Sequence, residues 1–177
     1  MKLTEAQLDV VLAEALFDDG RFSRWFFERT RFAGQPAKCV FCRSDNPWSR
    51  VKLQAPNPVT GELEALSRDC ETDVLAVYET PEGRRLALHI ENKVTGGSFT
   101  PHQPESYRER LSQWKDRERL GSYSDATSVL VAPRSFLEQH ASGAQLFECR
   151  VSHEELASKL SVFGWASSRA ARVMTRG

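Results

Sequence analysis

Two runs decide the fold: Glu71-Thr-Asp-Val-Leu-Ala-Val-Tyr-Glu79 and Leu86-Ala-Leu-His-Ile-Glu-Asn-Lys-Val94, joined through Thr80-Pro-Glu-Gly83. Both are rich in aliphatic and β-branched residues, and Pro-Glu-Gly between them is turn chemistry, so they predict a β-hairpin. Asp73 enters the first strand, and Glu91 and Lys93 lie near the end of the second. Two carboxylates and one amine are thereby expected at one end of a small sheet. Strand side chains alternate faces, so Glu91 and Lys93 point one way and Asn92 the other.

Upstream of the hairpin, Thr4 to Asp19 reads as a helix, with Thr4 as N-cap, Gln7 at the capping-box position, and Leu8, Val11, Leu12, Ala15 and Leu16 at helical spacing. Asp18-Asp-Gly20 ends it. Ser23 to Arg31, with Trp25, Phe26 and Phe27, reads as a second helix. Glu14 lies on the flank of the first, beside Val10, Val11 and Phe17; it is either an ordinary surface glutamate or an acid that serves the hairpin. From Ala33 to Pro58, Gly34, Pro36, Pro47 and Asn57 mark a long irregular segment holding one strand, Trp48 to Leu53. Glu62 to Ser67 predicts a further strand, which would feed the hairpin as a three-stranded meander.

Downstream, Thr100 is positioned to cap a helix, with Pro101 at its first position and Gln103 as capping-box partner. Gln103, Tyr107, Leu111 and Trp114 then recur on one helical face, and Gly121 closes the segment. Ser128 to Pro133 predicts a buried strand reached by a helical crossover, hence parallel to the strand of Glu91. Leu146 to Val151 is a further strand candidate. Ser152 with Glu155 caps a helix through Leu160, and Phe163 to Arg172 predicts a last one. The sum is an α/β fold with a mixed central sheet flanked by helices.

At 177 residues, 40% hydrophobic and 27% charged, the chain is expected to form one folded domain rather than two or a disordered segment. No apolar run approaches the roughly 20 residues that cross a bilayer, and the opening residues lack an apolar signal core. A cytoplasmic protein with no membrane contact is the expectation. The 24 basic and 24 acidic residues cancel, so bulk charge neither favours nor excludes a polyanionic partner. Arg108, Arg110, Lys115, Arg117 and Arg119 are dense, but they alternate with acids as a solvated helix face would. Cys39, Cys42, Cys70 and Cys149 include one Cys-x-x-Cys pair. A structural zinc would need Cys70 and a histidine to complete it, the alternative being cysteines without a metal.

Cutting a phosphodiester at neutral pH needs a nucleophilic hydroxide, a cation on the scissile phosphate and stabilisation of the leaving oxygen. Mg²⁺, or Mn²⁺, suits oxygen donors and keeps several waters, so one or two carboxylates and a carbonyl suffice. Asp73 and Glu91 are the candidate ligands, with the Asn92 carbonyl as a third and Glu14 as support for a second ion. Lys93 would place a compact positive charge beside the water and the phosphate. The bland alternative is a surface hairpin on which Glu91 and Lys93 form an ordinary ion pair.

The set Thr72-Asp73 and Glu91-Asn-Lys93, with an acid-bearing helix before it and Gln103-Pro-Glu-Ser-Tyr107 after it, resembles the PD-(D/E)XK nuclease superfamily. Gln103 and Tyr107 match the QxxxY motif of its RecB-like members. The resemblance spans about residues 5 to 133, leaving a C-terminal strand and helices over 134 to 177. It implies a restriction-endonuclease-like αβββαβ core and Mg²⁺-dependent cleavage of nucleic acid, most directly DNA. It also implies that Glu14 is the first-helix acid, that Gln103 and Tyr107 face the site and contact the strand, and that Arg108 is a further phosphate ligand. Gln103 could instead serve only the helix cap, and Tyr107 only helix packing. Two other functions remain open: a nuclease-like module that binds nucleic acid without turnover, and a small zinc-containing interaction protein built on Cys39 and Cys42.

Overall fold

The computed structural model describes residues 3–57 and 59–164. Two helices come first, α1 (Glu5–Asp18) and α2 (Gly20–Phe27). The capping box of α1 forms as expected, Thr4 and Gln7 exchanging bonds of 3.0 and 3.3 Å. Asp19 both ends α1 and caps α2, its carboxylate accepting from the N–H groups of Arg21 and Phe22. The second helix therefore starts earlier than Ser23 and stops at Phe27.

Strands β1 (Lys38–Arg43), β4 (Val74–Glu79), β5 (Arg85–Asn92), β6 (Asp125–Ala132) and β7 (Cys149–Ser152) form a mixed sheet in the order β1-β4-β5-β6-β7. The first three run antiparallel to their neighbours, and β6 and β7 continue parallel to β5. The predicted hairpin is thus β4–β5, and the expected parallel crossover to β6 is present. Its strands are apolar on both faces because both are covered. Val74, Ala76, Leu88 and Ile90 pack towards α1 and α2. Leu75, Val77 and Ala87 pack with Trp114, Leu120 and Tyr123.

The expected meander has a different third strand. The Glu62–Ser67 run belongs to β3 (Leu63–Glu71), which pairs along its length with β2 (Trp48–Pro56) as a separate two-stranded sheet. A local turn explains this: the Asn57 carboxamide oxygen accepts from Val59 and Thr60 N–H, and Gly61 takes φ 73°, so the two runs close on each other. The place beside β4 goes to β1, inside the stretch read as irregular. A bulge between Cys39 and Phe41 breaks its alternation and hides it from a period-two reading.

The crossover helix α3 (Gln103–Gln113) begins after His102, which takes a left-handed conformation at φ 58° and makes no side-chain cap bond. Thr100 is therefore not the N-cap. A 3₁₀ turn (Glu118–Leu120) ends at Gly121, whose φ of 85° needs glycine. Short helices α4 (Arg134–Gln139) and α5 (Ala141–Ala144) lead to β7, which is shorter than the Leu146–Val151 expectation. Helix α6 (His153–Ala157) carries the expected Ser152–Glu155 capping box but stops before Leu160. The last predicted helix falls from residue 165 onward outside the described residues. Among the described residues no helix is long and apolar enough to cross a membrane.

Candidate active site

The carboxyl end of β5 lies where β4 has only begun, since Val74 pairs with Ile90, so Glu91 and Asn92 project past the paired part of the hairpin. Alternation sends the Glu91 side chain towards α3 and that of Asn92 towards α1. Glu91 is buried and held from three sides. Lys93 Nζ reaches Oε1 at 2.6 Å, Gln103 Nε2 donates to the same oxygen at 2.7 Å, and the Tyr107 hydroxyl donates to Oε2 at 2.6 Å. Tyr107 is in turn placed by Thr72, 3.0 Å away, and by packing on Phe147.

Gln103 reconciles the two roles open to it. Its Oε1 accepts the backbone N–H of Thr100 at 3.1 Å, the reach-back bond expected of it although His102 and not Thr100 precedes the helix, which leaves Nε2 to face Glu91. Lys93 is a charged group here: burial alone would lower its pKa, but Glu91, Glu5 and Asp73 outweigh burial and hold it above the ordinary value.

Asp73 stands just ahead of β4, and its Oδ2 accepts the Asn92 backbone N–H at 2.7 Å. A strand residue's N–H and C=O point to the same edge, so the Asn92 carbonyl is also directed to the side of Asp73. Burial, then the charges of Glu91 and Asp9, push the Asp73 carboxyl up to about 8. Asp9 is raised to about 6, first by burial and then by Glu91 and Glu5, while its bond from Asn92 acts the other way. These acids crowd one another and would be relieved by a cation.

On the α1 side, Asn92 Nδ2 donates to Asp9 Oδ1 at 3.0 Å, and Asn92 Oδ1 lies 3.1 Å from His153 Nε2. The carboxylate fixes the amide orientation, so His153 must carry its proton on Nε2. Burial depresses His153 to about 4, which keeps it neutral.

Five of the expected site residues, Asp73, Glu91, Lys93, Gln103 and Tyr107, are brought together, with the Asn92 backbone beside them. Glu14 is not among them; it is exposed, as are its neighbours Val10 and Phe17. Its place is taken by Asp9, with Glu5 one turn earlier accepting the Val94 N–H at 3.2 Å. The buried stripe of α1 is Leu8, Asp9, Leu12, Ala13 and Leu16: of the expected Leu8, Val11, Leu12, Ala15 and Leu16, the three leucines are buried, while Asp9 and Ala13 stand in place of Val11 and Ala15. Five residues along a helix turn about 140°, so a stripe that includes Asp9 excludes Glu14. The spacing of Asp9 three and four residues before Leu12 and Ala13 was the available signal.

Arg108 is likewise exposed and outside the cluster. Arg110 is the buried cation of α3; its guanidinium lies 3.8 Å from the Tyr107 ring centre and bonds the Glu71 carbonyl. Seven residues after Gln103 and three after Tyr107, it shares their helical face, which Arg108 does not. A cavity of about 270 Å³ opens beside these groups, with Asp73 and Glu91 on its wall together with Arg68, Gln103, Ser106 and Arg110.

Cys39 and Cys42 do come side by side, because the bulge between them turns a three-residue separation into a same-face pair, and Cys39 Sγ donates to the Phe41 carbonyl at 3.5 Å. The completing candidates for zinc, Cys70 and a histidine, do not join them: Cys70 packs in the cluster with Val51 and Trp114, His89 bonds Tyr123 and His153 bonds Asn92. Among the described residues no group of three or more His, Cys, Asp or Glu could hold a metal by itself. Set against family models, curated proteins and solved structures, the chain gives no match.

Proposed function

We propose that the chain is a divalent-metal-dependent nuclease of the PD-(D/E)XK type that hydrolyses phosphodiester bonds in nucleic acid, DNA first among them. The observation that carries this reading is the Glu91 carboxylate, buried at a strand end opposite Asp73 and gripped at once by Lys93, Gln103 and Tyr107. A surface ion pair would need none of that support. The topology supports it too: with the β2–β3 hairpin taken as an insertion, the order of central elements is helix, three antiparallel strands, helix, parallel strand, the αβββαβ plan of a restriction-endonuclease-like core.

The donor set fits Mg²⁺ or Mn²⁺ rather than zinc. Two carboxylates and a carbonyl on one edge, with no third side-chain ligand, suit a hard ion that retains water. Asp73, Glu91 and the Asn92 carbonyl would hold it, with Asp9 behind them in the position expected of Glu14. When bound, such an ion supplies a water of lowered pKa and charge neutralisation at the phosphate.

The chain's own residues do the rest. Lys93 keeps a full positive charge at the mouth of the carboxylate pair, where it orients the nucleophilic water and balances charge on the phosphate. Gln103 and Tyr107 fix both oxygens of Glu91 by donating to them, so the carboxylate is preorganised before substrate arrives. Burial and the neighbouring acids raise Asp73 and Asp9 above ordinary carboxylates, a crowding that a bound cation would relieve.

The test is a cleavage assay on linear, circular and single-stranded DNA and on RNA, with Mg²⁺ or with EDTA. Metal-dependent degradation that is lost in folded Asp73→Asn and Glu91→Gln supports the reading. Binding without turnover by the wild-type protein would instead mark a nucleic-acid-binding module, and full activity in both variants would sink the proposed chemistry.

A further inference from the structure

We infer that the cavity beside the carboxylates is a phosphate-binding subsite for a single nucleic-acid strand, with Arg68 and Arg110 as its cations; this rests on the nuclease reading. Arg68 and Arg110 line the cavity together with Asp73 and Glu91, and Asp69 and Glu71 also stand on its wall.

Arg110 is only 1% exposed, yet among the described residues no carboxylate lies within ion-pair distance of it. Its charge rests on neutral groups instead: the carbonyl of Glu71, the carbonyl and hydroxyl of Ser106 at 3.2 and 2.9 Å, and the rings of Tyr107 and Trp114. Burying a guanidinium without a counter-ion is costly, and buried charges are ordinarily paired. Elsewhere in this chain the more exposed Arg24, Arg31, Arg43, Arg50 and Arg85 all have carboxylate partners. The unpaired buried arginine is the one on the cavity wall.

Arg68 repeats the pattern at the rim. Asp69 beside it is taken by Arg50 at 3.1 Å, and Arg68 bonds the carbonyl of Pro101, spanning from β3 to the loop before α3. A guanidinium has five N–H donors, and the bonds named leave both arginines with donors to spare. An anion that enters the cavity supplies the missing counter-charge. Phosphate oxygens match the guanidinium fork, which a lone ammonium does not offer.

Size and placement choose the ligand. At about 270 Å³ the cavity accommodates one phosphate with its sugar, which suits one strand and is too small to take in both strands of a duplex. With the reacting phosphate at Asp73 and Glu91, Arg68 and Arg110 would take a neighbouring phosphate of the same strand. The α3 amino terminus, which opens on the cavity at Gln103 and Ser106, adds its partial positive charge in the same direction.

The experiment is fluorescence anisotropy of a labelled oligothymidylate, with Ca²⁺ in place of Mg²⁺ to keep the strand intact, over a range of salt concentrations. Arg68→Met and Arg110→Met are each expected to weaken binding about tenfold or more. Each should also flatten the dependence of log affinity on log salt by about 0.7. Arg110→Lys, which retains charge but not the fork, should lose affinity while keeping the slope. Tyr107→Phe keeps the ring beside Arg110, removes only the hydroxyl that bonds Glu91 and takes away no cation, so it should leave the slope unchanged. Arg68 is only half-buried, so its variant keeps the test decisive if Arg110→Met fails to fold. Wild-type binding and cleavage with unaltered affinity and slope in Arg68→Met would overturn the subsite and leave the nuclease standing. Absence of any nucleic-acid binding by the wild type would overturn both.

Discussion

The two faces of β5 at its carboxyl end are built from adjacent residues and do opposite things. Towards α3, Glu91 pairs with Lys93 and accepts hydrogen bonds from the helix residues Gln103 and Tyr107. Towards α1, Asn92 carries no charge and serves as a bridge between Asp9 and a neutral His153. Glu91 lines a cavity; Asn92 on the other side is fully buried against Asp9 and His153. A one-residue step along a strand thus separates groups available for chemistry from groups that fix their frame.

The sharpest way to break this contrast is to mutate one residue on each face. Lys93→Met is expected to lower Mg²⁺-dependent cleavage by about 10²–10³-fold, because a preorganised charge acting on a developing one is lost. Asn92→Ala retains the backbone carbonyl and is expected to keep activity per folded molecule within about tenfold. Comparable losses in a steady-state assay on both would show that the two faces do not divide the work.

The next effect concerns Asp73 in the metal-free protein. Its folded pKa, about 8, lies above the ordinary carboxylate value of 3.8, so the folded state holds the proton more tightly than the unfolded chain. That contribution is fully present below the unfolded pKa and is lost as pH rises through the folded one. In EDTA, wild-type stability should therefore fall between pH 5 and pH 8 by on the order of a few kcal/mol, read as a falling Tm. Asp73→Asn should remove that part of the decline and be the more stable protein at pH 8. Mg²⁺ should raise the wild-type Tm at pH 8 and leave the variant's unmoved. Equal pH profiles for both proteins in EDTA would contradict the crowding of acids at this site.

Asn92→Ala carries the corresponding stability effect on the other face. It strands the Asp9 carboxylate and the His153 Nε2–H, both buried, and should cost about 2–3 kcal/mol in a urea titration. His153 gives this face the opposite pH sense. With its pKa depressed to about 4, its neutral burial stabilises the fold above the unfolded value of 6.5 and is lost as pH falls towards 4. His153→Gln, which preserves a donor but cannot titrate, should flatten the acid limb.

What could be read from the sequence was what depends on near neighbours. The β4–β5 hairpin, the α1 and α6 capping boxes and the shared face of Gln103 and Tyr107 all follow from spacings of a few residues. What escaped depends on longer range or on an interruption of period. The bulge at Val40 concealed β1, and the Asx turn at Asn57 took β3 away from the central sheet. Asp9 lies 83 residues from its partner Asn92, and Arg110 bonds a carbonyl 39 residues away, separations that no local pattern encodes. Arg108 and Arg110 are equivalent in composition and differ only in helical phase.

The smallest expected effect tests that phase directly. Glu14→Ala changes an exposed residue next to exposed Val10 and Phe17, and surface changes of this kind fall within about 0.5 kcal/mol. Cleavage and Tm should both match the wild type. Asp9→Asn, five positions earlier, removes a charge that bears on Asp73 while preserving size and a hydrogen bond to Asn92. It should leave the fold intact and change activity and its Mg²⁺ dependence. Because the two variants differ by about 140° around one helix, the pair reads out which side of α1 serves the site. A loss of activity in Glu14→Ala with a silent Asp9→Asn would reverse the helix and with it the distinction between the two faces of β5.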